Sequence, residues 1–530
     1  MTESSSGPER TPLERGELLL AAVVVVAALV LHAVFLTQSG GLWRDEVNSL
    51  NLAKLDLSGI AKNLEYDSFP IGWFVLLKCW TIIAPAGDLS LRVFGVVIGL
   101  ALIAAVWLAG RSMTGRTPLL ALALLVFDAG TVRFGDSIRG YGVGTLFGVL
   151  AYWSLWRLGQ RRDARSFWIA AAASIVAVHL LYFNAAVVFA SCAGAATRGA
   201  FARSVRDVMR PLLVGAIAAV TLVPYVGMFT QARRWNDLLR YDIGPVWLSW
   251  MWQTAHAGSG PVAIILWDVA LAAVALLSIL VLVRRGKTML AMSGLEHHAV
   301  AFFAGTVAYV VFLLRLGYYT SPWYYLALGL LVAVPLDALA GSVTGVRGRA
   351  AVIVLAVVHL AAAFGPAIAF TSERLTNVDI VAAELTTQTR TGDLVVVIPW
   401  QSIVSWGRYY HGPAVSVSVP PVRFTEWHRY DLFQNAMDDP AVMKGLLVDV
   451  DAALARGSRV FVVRNVGGSS RIPRHPPAPR IDGQGDAIVL FDSHLEAIGA
   501  SLVEMPPFPA AAEFESLAVW QVRMAAWPND

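Results

Sequence analysis

The stretch LLLAAVVVVAALVLHAVFLTQSGGLWRDEVNSL, residues 18–50, joins a long apolar run to a short charged motif. The apolar part contains no Asp, Glu, Lys or Arg, and its length is close to the roughly 20 residues that a helix needs to cross a bilayer. Arg10 and Arg15 precede it, as in a signal peptide, but the sequence TQSGGLW that follows offers no small-residue cleavage site. We therefore predict a retained first transmembrane helix, with the carboxylates of Asp45 and Glu46 just beyond its end.

The composition agrees with a polytopic membrane protein. Of the 530 residues, 57% are hydrophobic and 15% are charged, whereas roughly 25% are charged in an ordinary soluble domain. The pI near 9.1 does not indicate a nucleic-acid partner, because the basic residues lie mostly in short loops between apolar runs, where orientation in the bilayer explains them. The two cysteines, Cys79 and Cys192, both lie in apolar segments, which argues against a disulfide framework and a thiolate metal site.

Ten further apolar runs follow the first one, which predicts eleven transmembrane helices. They cover residues 91–109, 117–131, 141–156, 167–181, 183–197, 211–229, 261–283, 299–314, 322–340 and 350–370. The short loops on the side of the N-terminus contain most of the arginines, so we expect those loops to be cytoplasmic. We then expect residues 1–16 to be a disordered cytoplasmic N-terminus and residues 17–370 to form the transmembrane domain.

This orientation makes residues 38–90 one long first external loop. Its segment FPIGWFVLLKCWTIIA, residues 69–84, is apolar enough to span the membrane. A span there would move the basic cluster of residues 157–165 to the outside, against the expected orientation. We therefore predict an interfacial helix for this segment.

The composition changes after about residue 370. Residues 371–530 contain no spanning segment, but they contain four short runs rich in β-branched residues with helical stretches between them. These runs cover residues 393–400, 458–465, 486–492 and 517–522. We expect a soluble α/β domain, and an odd number of spans places it on the extracytoplasmic side.

The Asp45–Glu46 pair has two interpretations. The simpler one is a helix N-cap, since Asp45 or Asn48 could cap the amphipathic stretch that follows. The other is a reaction centre, because Asp136 and Arg139 belong to a short loop on the same predicted face. A carboxylate can deprotonate an attacking hydroxyl, and an arginine can hold a leaving phosphate. Such a group suits the transfer of a sugar from a lipid phosphate.

Several motifs also resemble a known family. They read GLWRDEVNSLNLA, EYDSFPIGWFVLLKCW, LSLRVFGVVIGL, GDSIRGYGVGTLF and TGDLVVVIPWQSIVSWGRYYHG. This succession resembles the bacterial branch of the protein O-mannosyltransferase and aminoarabinose transferase family, which has the GT-C fold. The resemblance implies a glycosyltransferase that moves sugar from a polyprenyl-phosphate donor to an extracytoplasmic acceptor hydroxyl, with inversion. The family commonly has His-Pro-Pro before the interfacial segment, whereas this chain has Ser68, Phe69 and Pro70.

The resemblance also implies roles for individual residues. Asp45 occupies the position of the general base, and Glu46 would position Asp45 or the acceptor. Arg139 corresponds to an arginine at the start of the fourth helix and would contact the donor phosphate. Apart from the resemblance, Arg315 lies at a predicted external helix boundary. The aromatic residues near it are most simply an interfacial belt, and the sharper interpretation is that Arg315 faces inward as a second phosphate clamp. These residues require no metal, although Asp45 and Asp136 together could hold a divalent cation.

Four other residues are candidate acceptor or metal contacts. Asp136 is similar to an acid in the second loop of some GT-C enzymes, but it could equally be the salt-bridge partner of Arg133 or Arg139. Tyr141 follows Arg139 at the aromatic position of the family. His179 and Tyr182 lie near the external end of the fifth helix, where a histidine is more often bonded to a neighbouring helix.

Two other classes of function remain open at this point. One is a lipid or sugar transporter or flippase, although the sequence shows no paired, Gly/Pro-broken helices in two matching halves. The other is a non-catalytic envelope assembly protein whose external domain binds cell-wall polymers. The sequence identifies neither the sugar nor the acceptor.

Overall fold

The computed structural model describes residues 11–228, 230, 243–285, 294–317, 319–343, 345–467, 482–508 and 514–524. Helix α1 begins at Pro12, and the side chain of Thr11 caps it by accepting a hydrogen bond from the backbone N–H of Glu14. Residues 12–16, which we predicted within a disordered terminus, therefore form the first turns of α1. Residues 1–10 of that predicted terminus lie outside the described residues.

Helices dominate the chain up to Thr371. They are α1 (Pro12–Gln38), α2 (Arg44–Lys54), α3 (Leu57–Asn63), α4 (Ile71–Ile83), α5 (Asp88–Thr114), α6 (Leu119–Ala121, continued by a π-helical turn, Leu122–Val126), α7 (Ala129–Gly135), α8 (Tyr141–Gln160), α9 (Ala164–Leu180), α10 (Asn184–Phe201), α11 (Val205–Thr221), α12 (Pro245–Ala255), α13 (Pro261–Arg285), α14 (Leu295–Leu316), α15 (Leu326–Val343) and α16 (Gly345–Thr371).

Seven helical segments in the described part of the chain are long and apolar enough to cross a membrane. They are Pro12–Gln38, Asp88–Thr114, Val205–Met228, Pro261–Arg284, Leu295–Leu316, Pro322–Gly341 and Gly345–Thr371. This confirms the predicted class, an α-helical polytopic membrane protein with a C-terminal domain that contains a sheet. The count of eleven spans stays a prediction.

Two predicted apolar segments differ from simple spans. The run 117–131 is divided into α6, its π-helical turn and α7, and Asp128 caps α7 by accepting a hydrogen bond from Thr131. Helix α4 has 13 residues and is therefore about 20 Å long at about 1.5 Å per residue, too short for a hydrocarbon core of about 30 Å. Its Ile82 and Ile83 side chains are exposed, and its interfacial position stays a prediction.

The described residues after Thr371, which we call the C-terminal domain, contain one five-stranded sheet. The elements of this domain are α17 (Val378–Gln388), β1 (Leu394–Ile398), α18 (Ile403–Tyr409), β2 (Val415–Ser418), α19 (Tyr430–Asp438), α20 (Pro440–Ala455), β3 (Val460–Asn465), α21 (Asp482–Ala497), β4 (Ala500–Glu504) and β5 (Leu517–Met524). The strand order is β2-β1-β3-β5-β4. Strand β1 is parallel to β2 and β3, and β5 is antiparallel to β3 and β4.

The predicted strand at residues 486–492 is wrong, because this run lies inside α21. Ala487, Phe491 and Leu495 are buried, whereas Val489 is exposed. A spacing of four residues between buried side chains is helical, so the apolar face of α21 overrode the β-branched composition of the run. The other three runs coincide with β1, β3 and β5.

Helix α2 lies where the two domains meet. The backbone N–H of Leu42, just before α2, donates to Tyr409 Oη at 2.5 Å. The same hydroxyl donates to Asp88 Oδ2 at 2.7 Å, and Arg408 forms an ion pair with Asp88. The C-terminal domain is therefore bonded both to the loop that carries Asp45 and to the start of α5.

Helices α7 and α8 approach each other closely at Gly142, where a Cβ would lie 2.1 Å from the backbone oxygen of Gly135. We expect Gly142→Ala to destabilise the protein by about 1–3 kcal/mol, because the backbones must move apart. Thermal unfolding in detergent measures this effect. Gly365→Ala in α16 is the control, since nothing lies within 4 Å of its added Cβ. Equal melting temperatures for both variants would contradict the close approach.

Candidate active site

Glu46 is fully buried, with a side-chain exposure of 0%, and it joins three parts of the chain. Arg92, near the start of α5, donates from Nη1 to Glu46 Oε1 at 2.5 Å and from Nη2 to Oε2 at 2.9 Å. The backbone N–H of Ile138 donates to Oε1 at 2.7 Å, and that of Trp43 donates to Oε2 at 3.2 Å. Glu46 therefore fixes the start of α2 against α5 and the segment between α7 and α8.

Arg139 is also buried, and it fixes the other side of α2. Its Nη1 donates to Asp67 Oδ2 at 2.8 Å, to Ser49 Oγ at 2.7 Å and to the backbone oxygen of Asp45 at 2.9 Å. The guanidinium lies 4.5 Å above the ring of Phe69, a cation–π contact. Its Nε has no acceptor among the described residues, so Arg139 keeps one unused donor.

Asp45 differs from its neighbour Glu46. Its side chain is 25% exposed, and its nearest charged partner is Arg44, whose Nε lies 3.7 Å from Oδ1. No described residue donates a hydrogen bond to this carboxylate. The predicted capping by Asp45 or Asn48 does not occur, since Trp43 holds the N-cap position of α2. Asp45 lies in the first turn instead, where the helix dipole favours a negative charge.

The C-terminal domain contributes His428 and Tyr430 to the same region. The backbone N–H of His428 donates to Asn48 Oδ1 at 2.7 Å. The His428 side chain is buried and lies near Asp45, whose charge acts on it. Burial lowers the pKa of His428 to about 4, although the charge of Asp45 acts in the opposite direction. The imidazole is therefore neutral at neutral pH.

Glu515 connects the sheet of the C-terminal domain to the start of α2. Its Oε2 accepts a hydrogen bond from the backbone N–H of Arg44 at 3.1 Å, and its Oε1 accepts one from Ser405 Oγ at 2.7 Å. Burial raises the pKa of Glu515. The backbone at Arg44 is thus held, while the Arg44 side chain remains partly exposed.

Aromatic rings line one side of the candidate site. The ring of Tyr141 lies edge-on to Phe69, at a centroid distance of 4.9 Å, and stacks on Trp323 at 5.6 Å. Trp323 in turn lies 5.9 Å from Trp43. Tyr141 is therefore part of the site that contains Asp45.

Asp136 contacts helix α1 rather than α2. It is fully buried, and its Oδ2 lies 2.6 Å from Nδ1 of His32 in α1. Of the two predicted alternative partners, Arg139 forms its ion pair with Asp67, and Arg133 donates to the backbone oxygen of Glu373 at 2.6 Å. A cation shared by Asp45 and Asp136 stays a prediction, and within the described ranges no group of three His, Cys, Asp or Glu side chains is arranged to hold a metal ion.

Three further predicted residues lie outside the contacts described above. His179 Nδ1 is 2.9 Å from Tyr225 Oη, and the ring of Tyr182 is edge-on to that of Tyr225 at 5.5 Å. Arg315 is exposed near the end of α14. Of the predicted site residues, the contacts connect Asp45, Glu46, Arg139 and Tyr141.

A cavity of about 270 Å³ lies beyond the short helix Pro322–Tyr325. It is lined by the π-helical turn after α6 and by α7, α12, α13 and α15, and most of its lining is apolar. Asp128 and His256 are among its few polar lining groups.

The architecture is similar to that of solved structures. ArnT from Cupriavidus metallidurans in the apo state matches with a TM-score of 0.52 and 14% identity, covering 94% of this chain and 97% of that chain. The same protein bound to undecaprenyl phosphate matches with a TM-score of 0.49 and 14% identity, over 96% and 99%. The arabinofuranosyltransferase AftD from Mycobacteria matches with a TM-score of 0.47 and 13% identity, over 94% and 40%.

The chain has the GT-C fold. No family model matches the sequence, and no curated relative matches it either. The predicted fold is thus confirmed by structural similarity, whereas the roles of individual residues in this GT-C protein stay predictions.

Within the GT-C fold, the site contains residues that the sequence did not single out. Arg92 carried a detectable signal, because it is the one charged residue of the apolar run 91–109, and a charge within a spanning segment usually has a buried partner. Asp67 lies in the predicted first external loop, on the same face as Asp45, but no local motif assigns it a role. His428 and Glu515 belong to the C-terminal domain, and no local motif indicates that they contact a segment near residue 45.

Proposed function

We propose that this protein is a membrane glycosyltransferase that transfers a sugar from a polyprenyl-phosphate donor to a hydroxyl of an extracytoplasmic acceptor. The observation that carries the proposal is the carboxylate of Asp45, which accepts no hydrogen bond from the described residues and lies beside the guanidinium of Arg44. The GT-C fold and the family resemblance of the motif around Asp45 support it.

In this proposal Asp45 is the general base. Its carboxylate takes the proton of the acceptor hydroxyl as the hydroxyl oxygen attacks the anomeric carbon of the sugar. The bond between that carbon and the phosphate oxygen breaks on the opposite face, so polyprenyl phosphate leaves and the anomeric configuration inverts. Glu46 does not touch the reacting atoms but positions Asp45, because it fixes the start of α2 to Arg92.

Two arginines can stabilise the departing phosphate. Arg139 retains the Nε donor that has no acceptor among the described residues, and Arg44 offers a partly exposed guanidinium. Guanidinium groups stay charged at any relevant pH and bind phosphate oxygens through charge-assisted hydrogen bonds. Arg315, at the end of α14, remains a proposed second clamp.

The apolar cavity suits a lipid-linked donor that arrives through the bilayer. The largely apolar cavity beyond Pro322–Tyr325 offers room for part of an isoprenoid chain. Tyr141, beside Arg139, is the proposed acceptor contact that the geometry supports best, ahead of Asp136, His179 and Tyr182. The site would face the outside of a bacterial plasma membrane, together with the C-terminal domain.

The direct test is a transfer assay. The purified protein in lipid nanodiscs is incubated with undecaprenyl phosphate linked to mannose, glucose or arabinose, together with an envelope extract as the acceptor source. Mass spectrometry measures the release of undecaprenyl phosphate. We expect release with one of these donors, dependent on the protein. No release with any of the three donors would count against the proposal.

Arg44→Ala should raise the KM for the donor about tenfold, which corresponds to about 1.4 kcal/mol of lost phosphate binding. The bond from the backbone N–H of residue 44 to Glu515 remains in this variant, so the protein should unfold at the wild-type temperature. Arg390→Ala, an exposed arginine of the C-terminal domain, is the control and should leave the donor KM unchanged. An unchanged KM for Arg44→Ala would exclude Arg44 from the phosphate contact and leave Arg139 and Arg315 as its candidates.

A further inference from the structure

A segment of the C-terminal domain, residues 424–430, lies against α2. The backbone N–H of His428 donates to Asn48 Oδ1 at 2.7 Å, and Asn51 Nδ2 donates to the backbone oxygen of Glu426 at 2.7 Å. Asn48 and Asn51 are one helical turn apart on α2, so they hold the backbone of this segment at two points. The segment therefore has a defined position relative to Asp45.

The imidazole of His428 is held tightly in this segment. His428 is only 3% exposed. Its ring lies edge-on to the rings of Trp400 and Tyr430, at a centroid distance of 5.9 Å from each. Its Nε2 is buried and has no hydrogen-bond partner among the described residues. A buried polar atom without a hydrogen-bond partner is rare and costs stability. A bound ligand would supply the hydrogen bond that Nε2 lacks.

The charges around His428 are those of the candidate site. Asp45, Asp67, Arg44 and Arg139 all act on its imidazole, and the same four act on Tyr430. Burial lowers the pKa of His428 to about 4, so the ring carries no charge that would attract a phosphate. A neutral imidazole can accept or donate one hydrogen bond at each nitrogen, which suits a hydroxyl group.

We propose that His428 completes the transfer site from the C-terminal domain, with Nε2 hydrogen-bonded to a substrate hydroxyl close to Asp45. This inference rests on the proposed function, because it assigns the partner of Nε2 to the same reaction. The hydroxyl belongs either to the transferred sugar or to the acceptor, and both offer the same chemistry to an imidazole. The C-terminal domain then takes part in substrate recognition. Asn48 and Asn51 of α2 fix the position of His428 relative to Asp45.

Three variants of His428 test the hydrogen bond. His428→Ala removes both ring nitrogens. His428→Gln places an amide close to the position of Nε2, whereas His428→Asn places one closer to Nδ1. His411→Ala is the control, since His411 is an exposed histidine of the same domain. Each variant is assayed in nanodiscs with the undecaprenyl-phosphate sugar that the wild type uses, and kcat, both KM values and the melting temperature are measured.

We expect kcat/KM to fall at least tenfold in His428→Ala and His428→Asn, to recover in His428→Gln, and to stay at the wild-type value in His411→Ala. A higher KM for the donor assigns the hydroxyl to the transferred sugar, and a higher KM for the acceptor assigns it to the acceptor. The inference is overturned if His428→Ala keeps wild-type kinetics, or if the alanine and glutamine variants lose activity equally together with melting temperature. Absence of transfer by the wild type with every donor overturns the proposed function and the inference with it.

Discussion

Asp45→Asn should lower sugar transfer by about 10²–10⁴-fold, the usual contribution of a general base, while the protein still folds and inserts. Asparagine has the size and shape of aspartate but cannot take a proton from a hydroxyl at neutral pH. The fold should tolerate the change, because the Asp45 side chain is 25% exposed and no described residue donates a hydrogen bond to it. The contact with Arg139 is unaffected, since it uses the backbone oxygen of residue 45. Release of undecaprenyl phosphate and the melting temperature are the measurements.

Asp56→Asn is a matched control on the same loop. Asp56 caps α3 by accepting a hydrogen bond from Gly59 N, and asparagine caps a helix about as well as aspartate does. The control should therefore keep both activity and stability. Wild-type turnover by Asp45→Asn would assign the general base to another group, whereas loss of activity in both variants would point to a disturbed loop.

The contrast between Asp45 and Glu46 could not be read from the sequence. The two carboxylates are adjacent and belong to one motif, so their side chains offer no local difference in chemistry. Their difference comes from partners far along the chain, since Arg92 lies 46 positions from Glu46 and Ile138 lies 92 positions from it. The predicted topology placed Asp45, Asp136 and Arg139 on one face, but only the hydrogen bonds from Arg92 and from the backbone N–H of Ile138 show that Glu46 is the carboxylate held by the fold.

The sequence predicts the fold better than it predicts the site. Apolar runs of the required length predict spanning helices because the bilayer imposes both length and composition. The same reasoning is weaker where a run is interrupted by tertiary structure, as at residues 117–131, in which Asp128 caps a new helix. It fails for residues 486–492, where only the spacing of Ala487, Phe491 and Leu495 shows that α21 packs one face against the sheet.

The contribution of the C-terminal domain to the site had no sequence signal. His428 contacts Asn48 across 380 positions, and Glu515 contacts Arg44 across 471 positions. The first of these contacts joins a loop residue to α2, and both use a backbone N–H as the donor. Backbone donors are common to every residue except proline, so composition and periodicity carry no information about such pairs.

Arg92→Met should be the most destabilising of the substitutions considered, by about 3–5 kcal/mol, because it leaves the charge of Glu46 buried without its cation. Methionine keeps much of the volume of the arginine stem, so the loss should come from the charge rather than from a cavity. Thermal unfolding in detergent measures the effect. Arg390→Met, at an exposed position of the C-terminal domain, should melt like the wild type, and wild-type melting of Arg92→Met would show that Glu46 is not held as a buried ion.

Combining Arg92→Met with Glu46→Gln separates a positioning role of Glu46 from a chemical one. The pair is then neutral, so most of the lost stability should return, as it often does when both members of a buried ion pair are replaced. The glutamine oxygen can still accept the hydrogen bond from the backbone N–H of Ile138, which in the wild type is 2.7 Å long. If Glu46 only positions Asp45, the double variant should regain stability and measurable transfer together. If it regained stability but remained as inactive as Asp45→Asn, Glu46 would have to act on the substrate directly, and the assignment of Asp45 as the one general base would need revision.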